Sequence, residues 1–195
     1  MLPLDLALFH AVNADASTWP AVVTAARWAS QKLPIAMGGV LAGGLVVGSP
    51  AQRRDLVLAL FSMALAWVGV QLLRHAIAAP RPAQLGIGVQ WIEHAARAGF
   101  PSMHTAAACA LAASLQASRP ARWLAALCWV AALAIAWSRV CLGVHFPFDV
   151  LAGMLTGALS AGAVHALRAA PRPANRPRRF SAYWSRQERP SARHR

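Results

Sequence analysis

The chain has 195 residues, 57% hydrophobic and only 13% charged, with a mean hydropathy of +0.43, a balance that excludes an ordinary soluble domain and indicates one integral membrane domain. Lys and Arg number 19 against 6 Asp and Glu, a formal charge of +13, yet nine of the arginines lie between Arg168 and Arg195, so the charge belongs to a tail. A basic arm directly after an apolar segment is what the cytoplasmic face of a membrane protein carries, which argues against a nucleic-acid partner.

In chain order, Leu4–Val12 reads as a helix lying in the membrane interface, ended by the polar stretch NADAST. The first charge is Asp5 and no Lys or Arg precedes Arg27, so no cleavable signal peptide is expected. Five apolar segments follow: Leu33–Val47, Leu56–Leu73, Thr105–Ala117, Trp123–Trp137 and Val150–Leu167. A crossing needs about 20 apolar residues, fewer where its ends are buried in protein. The short segments can borrow a last turn from a polar site at the membrane edge. Trp19–Gln31 is apolar but interrupted by Arg27; it forms a sixth helix or, the favoured reading, joins the first span across Pro34 as one long kinked helix. The expected fold is all-α, a polytopic membrane helix bundle with five or six transmembrane helices in a domain of residues 1–168. Residues 169–195 are rich in Pro, Arg and Ser and are expected to form a disordered cytoplasmic tail with affinity for anionic lipid.

With five spans, Arg53, Arg54, Arg119, Arg122 and the tail share one side, which the positive-inside rule makes cytoplasmic. The stretches His75–Met103 and Arg139–Phe148 then share the other. Gly39 with Gly43, and Gly153 with Gly157, have helix-packing spacing. Cys109, Cys128 and Cys141 lie in or beside apolar runs without ligand-like spacing and read as buried, inert thiols.

Three polar stretches fall on that second side. SRVCLGVHFPFDV contains Asp149, the only acid between Glu93 and Glu188. His145 and Asp149 are four apart, so a helix starting near Phe146, with Pro147 in its first turn, sets them on neighbouring turns. A carboxylate beside an imidazole holds one ring nitrogen protonated and leaves the other as a nucleophile or base; the plain alternative is a packed His/Asp pair. RHAIAAPRP gives Arg74 and Arg81, two fork-shaped donors beside a Pro-stiffened turn that suit a phosphate, although Arg74 alone could snorkel to headgroups. GFPSMHTAAACA puts Ser102 and His104 at the start of a span, where free N–H groups and a positive dipole end meet an anion; Ser102 could equally be a simple N-cap.

Together, three arginines, a serine, two histidines and one carboxylate make a phosphoryl-transfer site. Arg74, Arg81 and Arg139 can neutralise the phosphate oxygens, whereas a two-metal site would need several carboxylates and only Asp149 and Glu93 are at hand. A mechanism with no metal and no cofactor is expected.

RHAIAAPRP, PSMH and SRVCLGVHFPFD, in that order, resemble the signature of the type-2 phosphatidic acid phosphatase superfamily, KxxxxxxRP, PSGH and SRxxxxxHxxxD. The resemblance implies an all-helical fold with its site at the membrane face. It further implies His145 as nucleophile, Asp149 as its orienting partner and His104 as general acid. Arg74, Arg81, Ser102 and Arg139 would bind phosphate, with Met103 contributing its backbone N–H. Arg74 replaces the signature lysine and Met103 the glycine; neither change removes a group that makes or breaks bonds.

Within the superfamily, LDLALFHAVNADAS, HAARAGFPSMHTA and WSRVCLGVHFPFDVLAG resemble bacterial undecaprenyl-diphosphate phosphatases of the bacitracin-resistance type. That resemblance implies hydrolysis of the carrier-lipid diphosphate at the periplasmic side of the bacterial inner membrane. The expected partners are a lipid phosphate or diphosphate substrate and membrane lipids. Phosphatidylglycerophosphate and lipid A phosphatases share the fold and are the alternatives. A channel or transporter is disfavoured because the charges gather at span ends and not at mid-span.

Overall fold

The protein is described by a computed structural model covering residues 2–93, 97–118 and 122–170, with Arg122 described by its backbone alone. The expected tail and Arg119 therefore lie outside the described residues, apart from the stub 169–170. Six α-helices are present among the described residues: α1 (Pro3–Val12), α2 (Pro20–Val47), α3 (Pro50–Ala76), α4 (Met103–Ser118), α5 (Arg122–Cys141) and α6 (Pro147–Ala169), with a 3-10 turn at Pro82–Leu85.

Proline opens four of them, at Pro3, Pro20, Pro50 and Pro147, where its missing N–H would have had no intrahelical partner. Ser49 and Gln52 close a reciprocal cap at the start of α3, the Gln52 N–H donating to Ser49 Oγ at 3.4 Å and the Ser49 N–H to Gln52 Oε1 at 2.8 Å. Trp19–Gln31 does not form a separate helix. α2 runs unbroken through Pro34 for 28 residues, about 42 Å at 1.5 Å per residue. That exceeds a hydrocarbon core of roughly 30 Å by about 12 Å, roughly eight residues, so α2 extends beyond the core.

α2, α3, α5 and α6 are each long and apolar enough to cross a membrane. α4 has only 16 residues, and Ala106, Ala108, Cys109, Ala110, Leu111, Ala112 and Leu115 are buried around its circumference, so its surroundings are the other helices. The large side chains point the other way. Phe61, Leu72, Val130, Leu155 and Leu159 are exposed while small residues fill the interior, the distribution expected when lipid is the solvent. α1 turns Leu4 and Leu8 outward and buries Asp5 and Phe9, as suits a helix at the interface.

The interior depends on close helix approach. A Cβ on Gly153 or Gly157 would collide with backbone at Ser102, just before α4, and at Ala106 within it, so this pair packs helices as its spacing predicts. Gly39 and Gly43 do not: a Cβ on either would meet nothing within 4 Å, and it is Gly44 that faces Leu56. Spacing identifies a possible contact face but not which face of α2 turns inward. Gly157→Leu should therefore lower the detergent-phase melting temperature through overpacking of about 1–3 kcal/mol or more, with Gly39→Leu nearly neutral. Equal melting shifts for the two variants would contradict this packing.

Candidate active site

α3 ends, α4 begins, α5 ends and α6 begins at one face of the bundle, and these four helix ends carry the three polar stretches. α5 is closed by a turn in which Gly143 has φ +72°, a conformation costly for any side chain. The turn lets the Val144 and His145 N–H groups share the Arg139 carbonyl, at 3.1 and 3.2 Å. It thereby swings His145 back over the end of α5 and into the protein.

His145 is buried and held from both sides. Its Nδ1 lies 3.3 Å from Asp149 Oδ2, and its Nε2 lies 3.2 Å from Arg81 Nη1. A guanidinium can only donate, so Nε2 accepts and the proton of the neutral ring sits on Nδ1, facing the carboxylate. Asp149 Oδ2 also accepts the Phe146 N–H at 3.0 Å, which fixes the first turn of α6. Burial first, and then the charges of Arg81, Arg139 and Arg74, hold the His145 imidazole well below its usual value near 6.5. Because this value is depressed, the ring stays neutral as pH falls through 6.5. NMR titration of ring-labelled histidine in the ligand-free protein should find His145 still neutral at pH 6; a midpoint at 6.5 or above would contradict the placement.

Arg81 is buried, and burial pushes it down to about 10, still charged at neutral pH. Its Nε donates to the Arg97 carbonyl at 2.8 Å and its Nη1 to the Val144 carbonyl at 2.9 Å. Gly99 allows this, since a Cβ there would lie 3.0 Å from Arg81 Cγ and 3.3 Å from Asp149 Oδ2. Arg74 Nη2 donates to the Pro101 carbonyl at 3.1 Å, and Arg74 Nε has no hydrogen-bond partner. Ser102 is buried; its N–H donates to the Asp149 carbonyl at 2.9 Å, tying α4 to α6, and its Oγ accepts from Thr105 Oγ1 at 3.1 Å. Met103 begins α4 and packs its side chain against Ala66 and Val70.

Arg139 is buried, donates from Nη1 to Ser30 Oγ at 2.6 Å, and leaves Nε and Nη2 without hydrogen-bond partners. With His104 it lines a cavity of about 300 Å³ whose other walls are Ser30, Gln31, Pro34, Ile92 and Glu93. An unpaired buried donor is costly, so Arg74 Nε and Arg139 Nε and Nη2 stand out among the buried polar atoms. All the side chains singled out by spacing thus gather at one end of the bundle. Among the described residues no three His, Cys, Asp or Glu side chains converge as a metal site would require.

Other residues of the site carry no motif signal. Asp5 Oδ1 accepts the Phe148 N–H at 2.9 Å, capping α6 from the N-terminal helix. Asn13 donates to the carbonyls of Val89 and Cys141 at 3.0 and 3.1 Å and accepts the Val89 N–H at 2.8 Å, fastening the long loop to the end of α5. Ser30 and Gln31 reach the cavity from α2. Asn13 falls in NADAST, which reads equally well as a helix stop, and Asp5, Ser30 and Gln31 carry no spacing that marks these roles in the sequence.

Three similarities bear on this arrangement. A 28-residue stretch is 64% identical to the Escherichia coli (strain K12) protein named “Putative undecaprenyl-diphosphatase YbjG”, spanning 14% of this chain and 14% of that relative. The structure of Aquifex aeolicus LpxE superposes with a TM-score of 0.70 at 23% identity, covering 85% of this chain and 96% of that one. The Bacillus subtilis transmembrane PAP2-type phosphatidylglycerolphosphate phosphatase does so with a TM-score of 0.62 at 22% identity, covering 85% and 84%. At such identities the likeness is one of fold. The PAP2 superfamily itself matches residues 55–173, from near the start of α3 to beyond α6 and including all three polar stretches, and the chain is a multi-pass membrane protein belonging to that superfamily.

Proposed function

We propose that the protein is an integral membrane lipid phosphatase that hydrolyses undecaprenyl diphosphate to undecaprenyl phosphate and phosphate through a phosphohistidine on His145. The observation that carries the chemistry is the buried His145–Asp149 pair, 3.3 Å apart, set among Arg74, Arg81 and Arg139, whose Arg74 Nε and Arg139 Nε and Nη2 have no hydrogen-bond partners. His145 Nε2 attacks phosphorus as Arg81 passes from that nitrogen to a phosphate oxygen. The anhydride bond between the terminal phosphorus and the bridging oxygen breaks, and His104 gives its proton to the departing oxygen of the lipid monophosphate. Water then loses a proton to His104 and attacks phosphorus, and the P–N pair returns to Nε2 with release of phosphate. Asp149 stabilises the charge that develops on the ring, and the arginines stabilise the equatorial oxygens.

The short identity to the Escherichia coli relative supports the carrier-lipid substrate. One observation favours a second reading. Glu93 lines the same cavity as His104, so a carboxylate stands on the leaving-group side. A second phosphate there would be repelled, whereas the hydroxyl of a glycerolipid or sugar lipid would not. Phosphatidylglycerophosphate or lipid A phosphates are accordingly the alternative substrates. The site is taken to face the periplasm of the inner membrane, because Arg53, Arg54 and Arg168 stand at the opposite helix ends.

Phosphate release from a panel of lipid phosphates by purified protein in detergent tests the substrate. Prenyl diphosphates should be hydrolysed, shorter chains included; release from phosphatidylglycerophosphate alone would leave the phosphatase standing and remove the carrier-lipid assignment. EDTA should leave the rate nearly unchanged. Loss of activity restored by magnesium would overturn the metal-free mechanism and bring Glu93 forward as a ligand.

A further inference from the structure

We infer that Ser30, on a helix outside the family-matched region, is a positioning residue that presents one edge of Arg139 to the phosphate. The inference rests on the reading of Arg139 as a phosphate ligand. Ser30 is 3% exposed and Arg139 2%, and the 2.6 Å bond from Arg139 Nη1 to Ser30 Oγ is the guanidinium's described side-chain contact. A planar guanidinium anchored at Nη1 keeps its Nε and Nη2 together on the opposite edge, and those are the two donors without partners. That edge is a fork whose parallel N–H groups match two oxygens of one phosphate. Ser30 thus selects which edge of Arg139 meets the substrate and prevents its rotation.

The reach of α2 makes this possible. Residues 55–173 match the superfamily, so Ser30 lies outside that region, on α2. Ser30 and Arg139 also share the cavity lined by His104, which places the anchoring hydroxyl beside the reacting groups.

A double-mutant cycle on Ser30→Ala and Arg139→Ala tests the inference, with kcat/KM for a short soluble phosphate monoester and calorimetric binding of orthovanadate as readouts. Ser30→Ala should lower kcat/KM and orthovanadate affinity by roughly 10- to 100-fold, the range for loss of one hydrogen bond to a charged group, with a lowered melting temperature because the buried Arg139 Nη1 loses its acceptor. In the Arg139→Ala background the same change should have almost no further effect, because the group it positions is gone. Full effect of Ser30→Ala in both backgrounds, or wild-type orthovanadate affinity in Ser30→Ala, would overturn the positioning role. Wild-type behaviour of Arg139→Ala would instead remove Arg139 from the phosphate site. The two failures are therefore distinguishable.

Discussion

His145→Ala is expected to abolish turnover, a loss on the order of 10⁶-fold by analogy with removal of other covalent nucleophiles, while the protein remains folded in the membrane. The His145 ring is held between Asp149, which meets Nδ1, and Arg81, which meets Nε2. Truncation removes the contacts to Asp149 and Arg81 but leaves Asp149 Oδ2 accepting the Phe146 N–H at the first turn of α6, so detergent-phase melting should fall only modestly. Asp149→Asn should behave differently. It can still accept the Phe146 N–H at the first turn of α6, but it no longer stabilises an imidazolium, so a measurable residual rate is expected. Phosphate release and melting curves for the two variants check both statements, and substantial turnover by His145→Ala would end the assignment.

His104→Ala carries the second large effect, and its size should depend on the substrate. Loss of a general acid costs about 10²- to 10⁴-fold where the leaving oxygen needs a proton. An aryl phosphate with an acidic phenol needs little protonation, so its formation of the phosphoenzyme should suffer at least about tenfold less than that of a lipid alkyl phosphate. The proposed mechanism gives the reason: it assigns the leaving-group side to His104, which lines the 300 Å³ cavity with Glu93 and Gln31, whereas His145 is buried beside Arg81. Comparing single-turnover rates for an alkyl and an aryl phosphate measures the difference. Equal losses for both would make His104 a phosphate ligand and not the acid.

What the sequence discloses depends on how local the governing physics is. Arg74, Arg81, Ser102, His104, Arg139, His145 and Asp149 are legible because each sits at a helix end marked by proline, glycine or a change from apolar to polar, and because the order of three motifs is rarely met by chance. Hydropathy likewise finds α2, α3, α5 and α6, since lipid contact demands long apolar runs. α4 is legible as apolar but too short, because protein and not lipid surrounds it. Contacts between distant segments are another matter. Asp5 capping α6, Asn13 fastening the loop to Cys141 and Ser30 meeting Arg139 join residues more than 100 positions apart, and each is a small polar residue with an ordinary local explanation. The glycine pairs show the same limit. Gly153 and Gly157 meet α4 while Gly39 and Gly43 meet nothing, although both pairs have identical spacing.

The central claim is that phosphorus passes through His145, and rapid-quench labelling tests it most directly. Mixing the purified protein with a lipid phosphate labelled in the transferred phosphoryl group and quenching in base should trap a covalent phosphoenzyme that is stable in base, lost in acid and absent from His145→Ala. Mass mapping should find the phosphoryl group on the peptide containing His145. Turnover at a normal rate with no phosphoenzyme, or with the label on a different residue, would contradict the account.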